Sequence, residues 1–179
     1  MDFLLRKDEF VVVDLETTGL SPYKGHEIIE IGVTEIKKNK IALNYSRLIK
    51  PNSIIPTAIT DITNITNEMV EGELKIDEVL PKFRDYIGDR VLIAHNAKFD
   101  LSFLNFYLQK YDLTPIDNYI CTLEMLKILK SRKIYTGNNN KLATACEFYD
   151  IVLENAHRAD ADTLATAKLF LKIREQLLK

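Results

Sequence analysis

The chain has 179 residues, of which 46% are hydrophobic and 28% are charged, as in ordinary globular domains. Its net charge of −2 argues against a general affinity for nucleic acid, so any such binding must be local and compact. No apolar stretch approaches the length of a membrane span, and Cys121 and Cys146 are too distant for a Cys-x-x-Cys pair. We therefore expect one domain over residues 1–179, reduced thiols, a cytoplasmic location and no membrane partner.

In chain order, the hydrophobic pattern predicts strands first and interleaved helices later. Strands are expected near residues 10–16, 27–36 and 41–50, joined as a β-meander, and a polar segment with short helical turns follows over 51–67. Helices are expected at 76–87, 98–110 and 121–130, with short strands at 91–94 and 119–120. This order is typical of an α/β fold with a mixed central sheet flanked by helices. Two more helices end the chain, and the last is predicted to have one apolar face, made of Ala161, Leu164, Ala167, Leu171 and Leu178.

Asp14 and Glu16 stand at the end of the first predicted strand. Because side chains alternate across a strand, both carboxylates project from the same face. Two adjacent carboxylates repel each other unless a cation lies between them, and a hard divalent ion such as Mg2+ or Mn2+ prefers oxygen ligands. The alternative is a strand that ends in solvent with two hydrated acids.

Three further acids and a histidine are candidates for the same site. Asp100 follows the predicted strand at 91–94 and begins a helix, where an acid would also complement the helix dipole. His157, Asp160 and Asp162 stand at the start of the last helix, and either acid could be no more than a first-turn residue. If His157 lies in the preceding loop and Asp162 in the first turns, the histidine could act as a general base beside a carboxylate-bound metal.

Together these motifs resemble the DEDDh group of 3′→5′ exonucleases, ribonuclease H-like enzymes that include the proofreading epsilon subunit of bacterial DNA polymerase III. The motif Asp-x-Glu-Thr-Thr-Gly is matched at residues 14–19, and His-x-Ala-x-x-Asp at 157–162. Between them, His-Asn-Ala-x-Phe-Asp-x-x-Phe-Leu is matched at 95–104 without a mismatch. Any one motif could occur by chance, but all three occur in order along nearly the whole chain. The resemblance makes Asp162, rather than Asp160, the ligand position.

The resemblance also implies a cofactor and a chemistry. Asp14, Glu16 and Asp162 would hold one divalent ion, and Asp14 would bridge to a second ion with help from Asp100. Two such ions, Mg2+ or Mn2+, suit an in-line phosphoryl transfer, and His157 would take the proton of the attacking water. The implied catalytic residues are therefore Asp14, Glu16, Asp100, His157 and Asp162, and the products are nucleoside 5′-monophosphates.

Residues around the three motifs are candidates for substrate binding, each with a structural alternative. The turn at 17–19 matches one whose backbone lies against the terminal nucleotide in similar enzymes, but it could be an ordinary turn. Asn96 could instead cap a helix. Phe99 could stack on a base, but an aromatic residue in the first turn of an amphipathic helix is more often buried in the core. The candidates are Thr17, Thr18, Gly19, His95, Asn96 and Phe99.

One loop departs from the family pattern, because Asn64 stands where similar enzymes usually carry glycine. Asn is the next-best residue for a left-handed conformation, so we expect the turn to survive. Substrate contacts from this loop, including any from Thr63, are in doubt.

Three functions stay open at this point. The leading one is a 3′→5′ exonuclease acting on single-stranded or mispaired DNA. Because no long tail is expected after the last helix, a stand-alone or loosely docked enzyme is favoured over one that is tethered to a DNA polymerase. The alternative is an exoribonuclease that trims RNA ends, because the 2′-OH preference depends on details of the pocket. The third is a non-catalytic nucleic-acid-binding module, against which the complete set of acids and His157 argues.

Overall fold

The computed structural model describes residues 2–178; the expected domain also included Met1 and Lys179, which lie outside these residues. None of the helices in the described part is long and apolar enough to cross a membrane. The strands are β1 (Glu9–Thr17), β2 (Ile28–Lys37), β3 (Lys40–Leu48), β4 (Val91–Ala94) and β5 (Tyr119–Cys121). The helices are α1 (Asp2–Leu5), α2 (Thr57–Thr63), α3 (Asn67–Val70), α4 (Ile76–Ile87), α5 (Ala97–Lys110), α6 (Thr122–Ser131), α7 (Leu142–Phe148) and α8 (Ala159–Leu178), with a 3-10 turn at Pro22–Lys24.

The expected mixed sheet flanked by helices is confirmed. Its strand order is β3-β2-β1-β4-β5, in which β1 to β3 form the antiparallel meander. The strands β4 and β5 run parallel to β1 and to each other, since α5 and the following loop connect them as a crossover. The segment at 51–67 contains α2 and the start of α3, as the prediction of short helical turns anticipated.

The central strand β1 decides which side of the sheet each functional residue faces. Val13 packs in a cluster with α4 and α5, whereas Val12 packs in a second cluster with α6, α7 and α8. Asp14 and Glu16 continue the series of Val12 and therefore face the α8 side. The sheet thus presents both acids of the first motif to the N-terminus of α8, which carries the third motif.

The predicted apolar face of the last helix is wrong. Of its members only Ala167 is buried, whereas Ala161, Leu164, Leu171 and Leu178 are partly exposed. Because α8 contacts the strands β1 to β4 and also α1, α6 and α7, it is covered on more than one side, and no single apolar stripe marks its buried surface. The buried residues are Ala159, Asp162, Thr163, Ala165, Thr166, Ala167, Leu169, Phe170, Ile173 and Arg174.

Gly32 on β2 permits α8 to begin close to the sheet. A Cβ atom at this position would lie 2.1 Å from the carbonyl oxygen of Ala159, the first residue of α8. Gly32 is also the strand partner of Asp14. The absence of a side chain at Gly32 therefore brings the N-terminus of α8 beside the first acid of the motif.

Replacement of Gly32 by alanine is expected to destabilise the protein by about 1–3 kcal/mol, because the added methyl group overlaps backbone atoms that move only with α8. The measurement is the free energy of unfolding in urea. Gly72→Ala is the matched control, since nothing lies within 4 Å of a Cβ atom at that position. Equal stability of the Gly32→Ala variant and the wild type would contradict the close contact.

Candidate active site

Three acidic side chains from two elements meet beside the end of β1. Carboxylate oxygens of Asp14 and Glu16, from β1, and of Asp162, from α8, all lie within 4.8 Å of one another. The pairing of β1 with β2 becomes irregular just after Glu16, where the strand ends. Such irregularities occur often beside active sites, because they redirect the chain and end the pairing.

Burial and mutual repulsion raise the pKa values of these acids. Burial raises the pKa of Asp14 well above its usual value, and the charges of Asp100, Asp162 and Glu16 raise it further. Burial also raises the pKa of Glu16 to about 8, with the charge of Asp162 adding to the effect. The pKa of Asp162 is raised as well, mainly by burial. The three carboxylates therefore favour a cation between them.

The donor set fits a hard divalent cation. Asp14, Glu16 and Asp162 offer only carboxylate oxygens, the ligands that Mg2+ and Mn2+ prefer, and their spacing allows one ion to contact all three. No histidine or cysteine belongs to this group of the described residues, so the set does not suit a soft metal. The structure thus brings together three of the four metal ligands expected from the sequence.

Asp100, the fourth expected ligand, lies next to these acids but has a separate backbone contact. It is in the first turn of α5, and its Oδ1 atom accepts a hydrogen bond of 3.2 Å from the backbone N–H of Leu15. Burial raises the pKa of Asp100 to about 8, although this hydrogen bond opposes the shift. The contact fixes the start of α5 against β1 between Asp14 and Glu16.

His157 lies in the segment before α8, as the prediction required for a general base. Its side chain is exposed, and its backbone is left-handed, with a φ of 66°. The backbone N–H of His157 donates a hydrogen bond of 3.0 Å to Oδ2 of Asp162. One carboxylate therefore holds the histidine backbone through one oxygen and can serve the metal group through the other.

Glu30 and Arg158 belong to the same surroundings, although the sequence analysis gave them no role. Glu30 is fully buried on β2, directly opposite Glu16. Its carboxylate accepts hydrogen bonds from the guanidinium of Arg158 and from the backbone N–H of Ala159. The charge of Arg158 also lowers the pKa of Glu16 relative to the value that burial alone would give. The available signal was a charged residue in the middle of a buried strand, which requires a partner.

The turn at 17–19 is held by side chains from its own loop. Thr18 forms two hydrogen bonds with the backbone of Glu27, one from its N–H and one to its hydroxyl, both of 2.8 Å. The hydroxyl of Thr17 donates to the carbonyl oxygen of Gly19 at 2.7 Å. A Cβ atom on Gly19 would lie 2.3 Å from the ring of His26, which is itself beside the backbone of Ser21. Gly19 is thus required by the close packing of His26, a reason that the sequence did not reveal.

His95 connects the end of β4 to two neighbouring segments. Its Nδ1 atom lies 2.9 Å from the hydroxyl of Thr122 and its Nε2 atom 3.0 Å from the carbonyl oxygen of Asn140. Burial lowers the pKa of His95 to about 4, so the ring is neutral near pH 7. In a neutral ring one nitrogen donates and the other accepts. Nε2 therefore donates to the carbonyl oxygen of Asn140, and Nδ1 accepts a hydrogen bond from the hydroxyl of Thr122. The ring therefore orders the start of α6 and the loop at 132–141 from the edge of the site.

The remaining candidates have different surroundings. Asn96 is exposed and left-handed, with a φ of 67°, and its side chain makes no capping hydrogen bond to α5. Phe99 is partly buried against the cluster of α4 and α5, with its ring centroid 5.2 Å from that of Phe103. Asn64 has a φ of 58°, so the expected left-handed turn is present. The buried hydroxyl of Thr63 is already hydrogen-bonded to the backbone of its own loop.

With this geometry established, comparison with known proteins gives the family. Residues 11–170 match a family model described as an exonuclease. The chain belongs to this exonuclease family. The expected class of enzyme, a 3′→5′ exonuclease, is thereby confirmed. The structure of exonuclease X in complex with 5′ overhanging duplex DNA has a TM-score of 0.71 and 25% identity, covering 93% of this chain and 92% of that one. That likeness confirms the expected ribonuclease H-like exonuclease fold.

Two curated relatives of this exonuclease are named as DNA polymerase III components. The PolC-type DNA polymerase III of Caldanaerobacter subterraneus is 43% identical over 94% of this chain, and the chain spans 12% of that protein's length. The DNA polymerase III subunit epsilon of Aquifex aeolicus is 34% identical over 94% of this chain and 81% of its own length. The similarity to PolC is therefore to a small part of that protein.

Replacement of Gly19 by alanine in this exonuclease is expected to displace the His26 ring and to destabilise the protein by about 1–3 kcal/mol. In a protein that already carries His26→Ala, the same replacement should cost much less, because the ring that the methyl group would meet is gone. Urea unfolding of the wild type, both single variants and the double variant measures this coupling. Simple additivity of the two changes would contradict the contact.

Proposed function

We propose that the chain is a metal-dependent 3′→5′ exonuclease that releases nucleoside 5′-monophosphates one at a time from DNA, preferentially from single-stranded or mispaired 3′ ends. The observation that carries the proposal is the group of carboxylates from Asp14, Glu16 and Asp162, with His157 bonded through its backbone to the last of them. We further propose that residues 1–179 act as one exonuclease domain and that Asp100 completes the set of ligands.

The cofactors in this proposal are two divalent ions, Mg2+ or Mn2+. Asp14, Glu16 and Asp162 would hold one ion, and Asp14 with Asp100 the other. When bound, such a pair polarises the phosphate and makes a water molecule more acidic. The bound ions would also neutralise the mutual repulsion of the four acids. For this reason we expect cleavage to depend strictly on the metal.

His157 acts as the general base in this proposal. Its ring is exposed, and within residues 2–178 no side chain or backbone group is hydrogen-bonded to it. The ring can therefore accept a proton from the attacking water, while the hydrogen bond from its backbone to Asp162 keeps it beside the carboxylates.

The substrate end would lie against the turn at 17–19, whose position is set by Thr17, Thr18 and the packing of Gly19 on His26. Asn96, which is exposed immediately before α5, is proposed to contact the terminal nucleotide. The exposed part of Phe99 is proposed to contact a base. His95 contributes indirectly, because both of its ring nitrogens already have partners in the protein.

The choice of DNA over RNA is supported by the names of the relatives, which are DNA polymerase III components, and by the duplex DNA in the exonuclease X complex. A DNA polymerase is for the same reason the proposed partner. The cytoplasmic location inferred from the two thiols stays a prediction.

Single strands of DNA and RNA with one sequence and a 5′ label provide the test, each incubated with Mg2+, with Mn2+ and with a chelator. We expect a metal-dependent ladder that shortens from the 3′ end, with DNA degraded faster, and faster cleavage of a mispaired than of a paired primer end. Faster degradation of RNA would establish the exoribonuclease alternative. No cleavage by folded protein under any metal would favour a binding module.

Asp14→Asn is expected to reduce cleavage roughly a thousandfold, because the side chain that contacts both proposed ions loses its charge. The same variant should be more stable than the wild type in chelator, since one of the mutually repelling carboxylates is removed. Cleavage rates and urea unfolding in chelator measure the two effects. Substantial remaining cleavage would show that the metal assignment is wrong.

His157→Ala is expected to lower kcat by roughly 10²–10⁴-fold, the usual contribution of a general base, while the affinity for Mn2+ stays unchanged. Asp160→Asn is the matched control, because Asp160 stands in the same motif but, among the described residues, its carboxylate accepts a hydrogen bond only from the N–H of Ala161. Calorimetric titration with Mn2+ and steady-state cleavage measure both properties. Unchanged turnover in His157→Ala would remove His157 as the base.

A further inference from the structure

Glu30 accepts hydrogen bonds from three residues in two separate parts of the fold. Its Oε1 atom accepts from Nη2 of Arg158 at 2.8 Å and from the hydroxyl of Ser46 on β3 at 2.7 Å. Its Oε2 atom accepts from Nε of Arg158 at 3.2 Å and from the backbone N–H of Ala159 at 3.1 Å. Glu30 is completely buried. One side chain of β2 therefore joins the edge strand β3 to the start of α8.

The segment that Glu30 holds is the one that carries His157. Asn155 and His157 both have left-handed backbones, with φ values of 51° and 66°. Asn adopts this conformation readily, whereas for His157 it is less favourable and persists where the surroundings fix it. In the described part of the chain, the hydrogen bonds that tie residues 155–159 to the rest of the protein run to Asp162, in α8 itself, and to Glu30. Glu30 thus supplies the hydrogen bonds between this segment and the sheet, in addition to the packing of Ala159 against Gly32.

The donors that meet at Glu30 explain why a carboxylate stands at this buried position. A neutral serine, threonine or asparagine could accept the N–H of Ala159 and so cap α8. Such a side chain lacks the two charged oxygens that here also accept Nε and Nη2 of Arg158 and the hydroxyl of Ser46. Glu30 therefore does more than cap α8, because it also holds the guanidinium of Arg158.

We propose that Glu30 is a positioning residue for the chemical step, which acts by holding Arg158 and the N–H of Ala159 so that the segment 155–159 keeps His157 beside the metal-binding carboxylates. The inference rests on the proposed function, in which His157 is the base. Glu30 touches neither substrate nor the reacting atoms in this scheme, and its effect on catalysis passes through His157.

Glu30→Gln tests the proposal, because glutamine keeps the shape but replaces one accepting oxygen by an N–H2 group that opposes the donors of Arg158 or Ala159. We expect kcat to fall roughly 10–100-fold through displacement of His157, with KM and the affinity for Mn2+ little changed. Arg158→Lys, which leaves Glu30 intact and removes the two-point contact, should lower kcat in the same direction and serves if Glu30→Gln does not fold.

The matched control is Glu35→Gln on the same strand. Glu35 is also buried and also forms an ion pair with an arginine, Arg90, but it pairs with Val11 near the far end of β1 and faces the other side of the sheet. Both glutamine variants lose a buried ion pair, so both can lower stability. Only Glu30→Gln should lower kcat when rates are compared per folded molecule at a temperature well below unfolding.

Two readouts separate positioning from general destabilisation. In a His157→Ala background, Glu30→Gln should have no further effect on kcat, because the residue through which it acts is absent. The chain has three histidines, His26, His95 and His157. Selective 15N-histidine labelling therefore gives one backbone amide signal for each of them in an NMR spectrum. Glu30→Gln should shift the signal of His157 and leave those of His26 and His95 in place.

Different outcomes would overturn the positioning role of Glu30 and the proposed exonuclease function. Wild-type kcat in folded Glu30→Gln, or additive effects of Glu30→Gln and His157→Ala, would overturn the positioning role and leave the exonuclease proposal intact. An unchanged His157 signal would do the same without any measurement of activity. Inactive wild-type protein, or wild-type turnover in His157→Ala, would instead count against the proposed function.

Discussion

Repulsion between carboxylates at the end of β1 is the constraint on which the rest of this structure depends. Asp14, Glu16 and Asp162 have oxygens within 4.8 Å of one another, and Asp100 lies next to them. Burial raises the pKa values of all four, and the charges of neighbouring acids raise them further. Such an arrangement opposes folding unless a cation is bound, so the surrounding structure must hold the acids in place. This repulsion lowers stability, so function rather than stability explains why the acids lie together.

The contacts that hold these acids come mostly from the backbone. The N–H of Leu15 fixes Asp100 against β1, and the N–H of His157 fixes Asp162. Gly32 lets α8 start against the sheet, which no residue with a Cβ atom would allow without movement. Backbone groups have little freedom to rearrange, so these carboxylates are held in place without a bound ion, as the proposed metal site requires. Glu30, the buried acid of β2, adds the side-chain contact that extends this order to the segment of His157.

A second set of contacts, around Glu27, orders the turn that is proposed to meet the substrate end. Its backbone bonds to Thr18, while its carboxylate accepts hydrogen bonds from the backbone and side chains of Asn52 and Ser53. These bonds outweigh burial and lower the pKa of Glu27, so the contact persists in its charged form. The turn at 17–19 and the loop at 51–55 are thereby joined on one side of the carboxylates.

The sequence by itself determined the order of strands and helices and the three motifs, since local periodicity and residue spacing are properties of neighbouring residues. It also assigned Asn64 to a left-handed turn, which only local preference decides. It failed for the buried face of α8, because contacts with strands and helices on several sides leave no single apolar stripe. The tertiary structure alone decided that Glu30 meets Arg158 and that Gly19 lies against His26. The first pair depends on how β2 and α8 pack, and the second on how the loop between β1 and β2 closes, and no periodicity in the sequence encodes either contact.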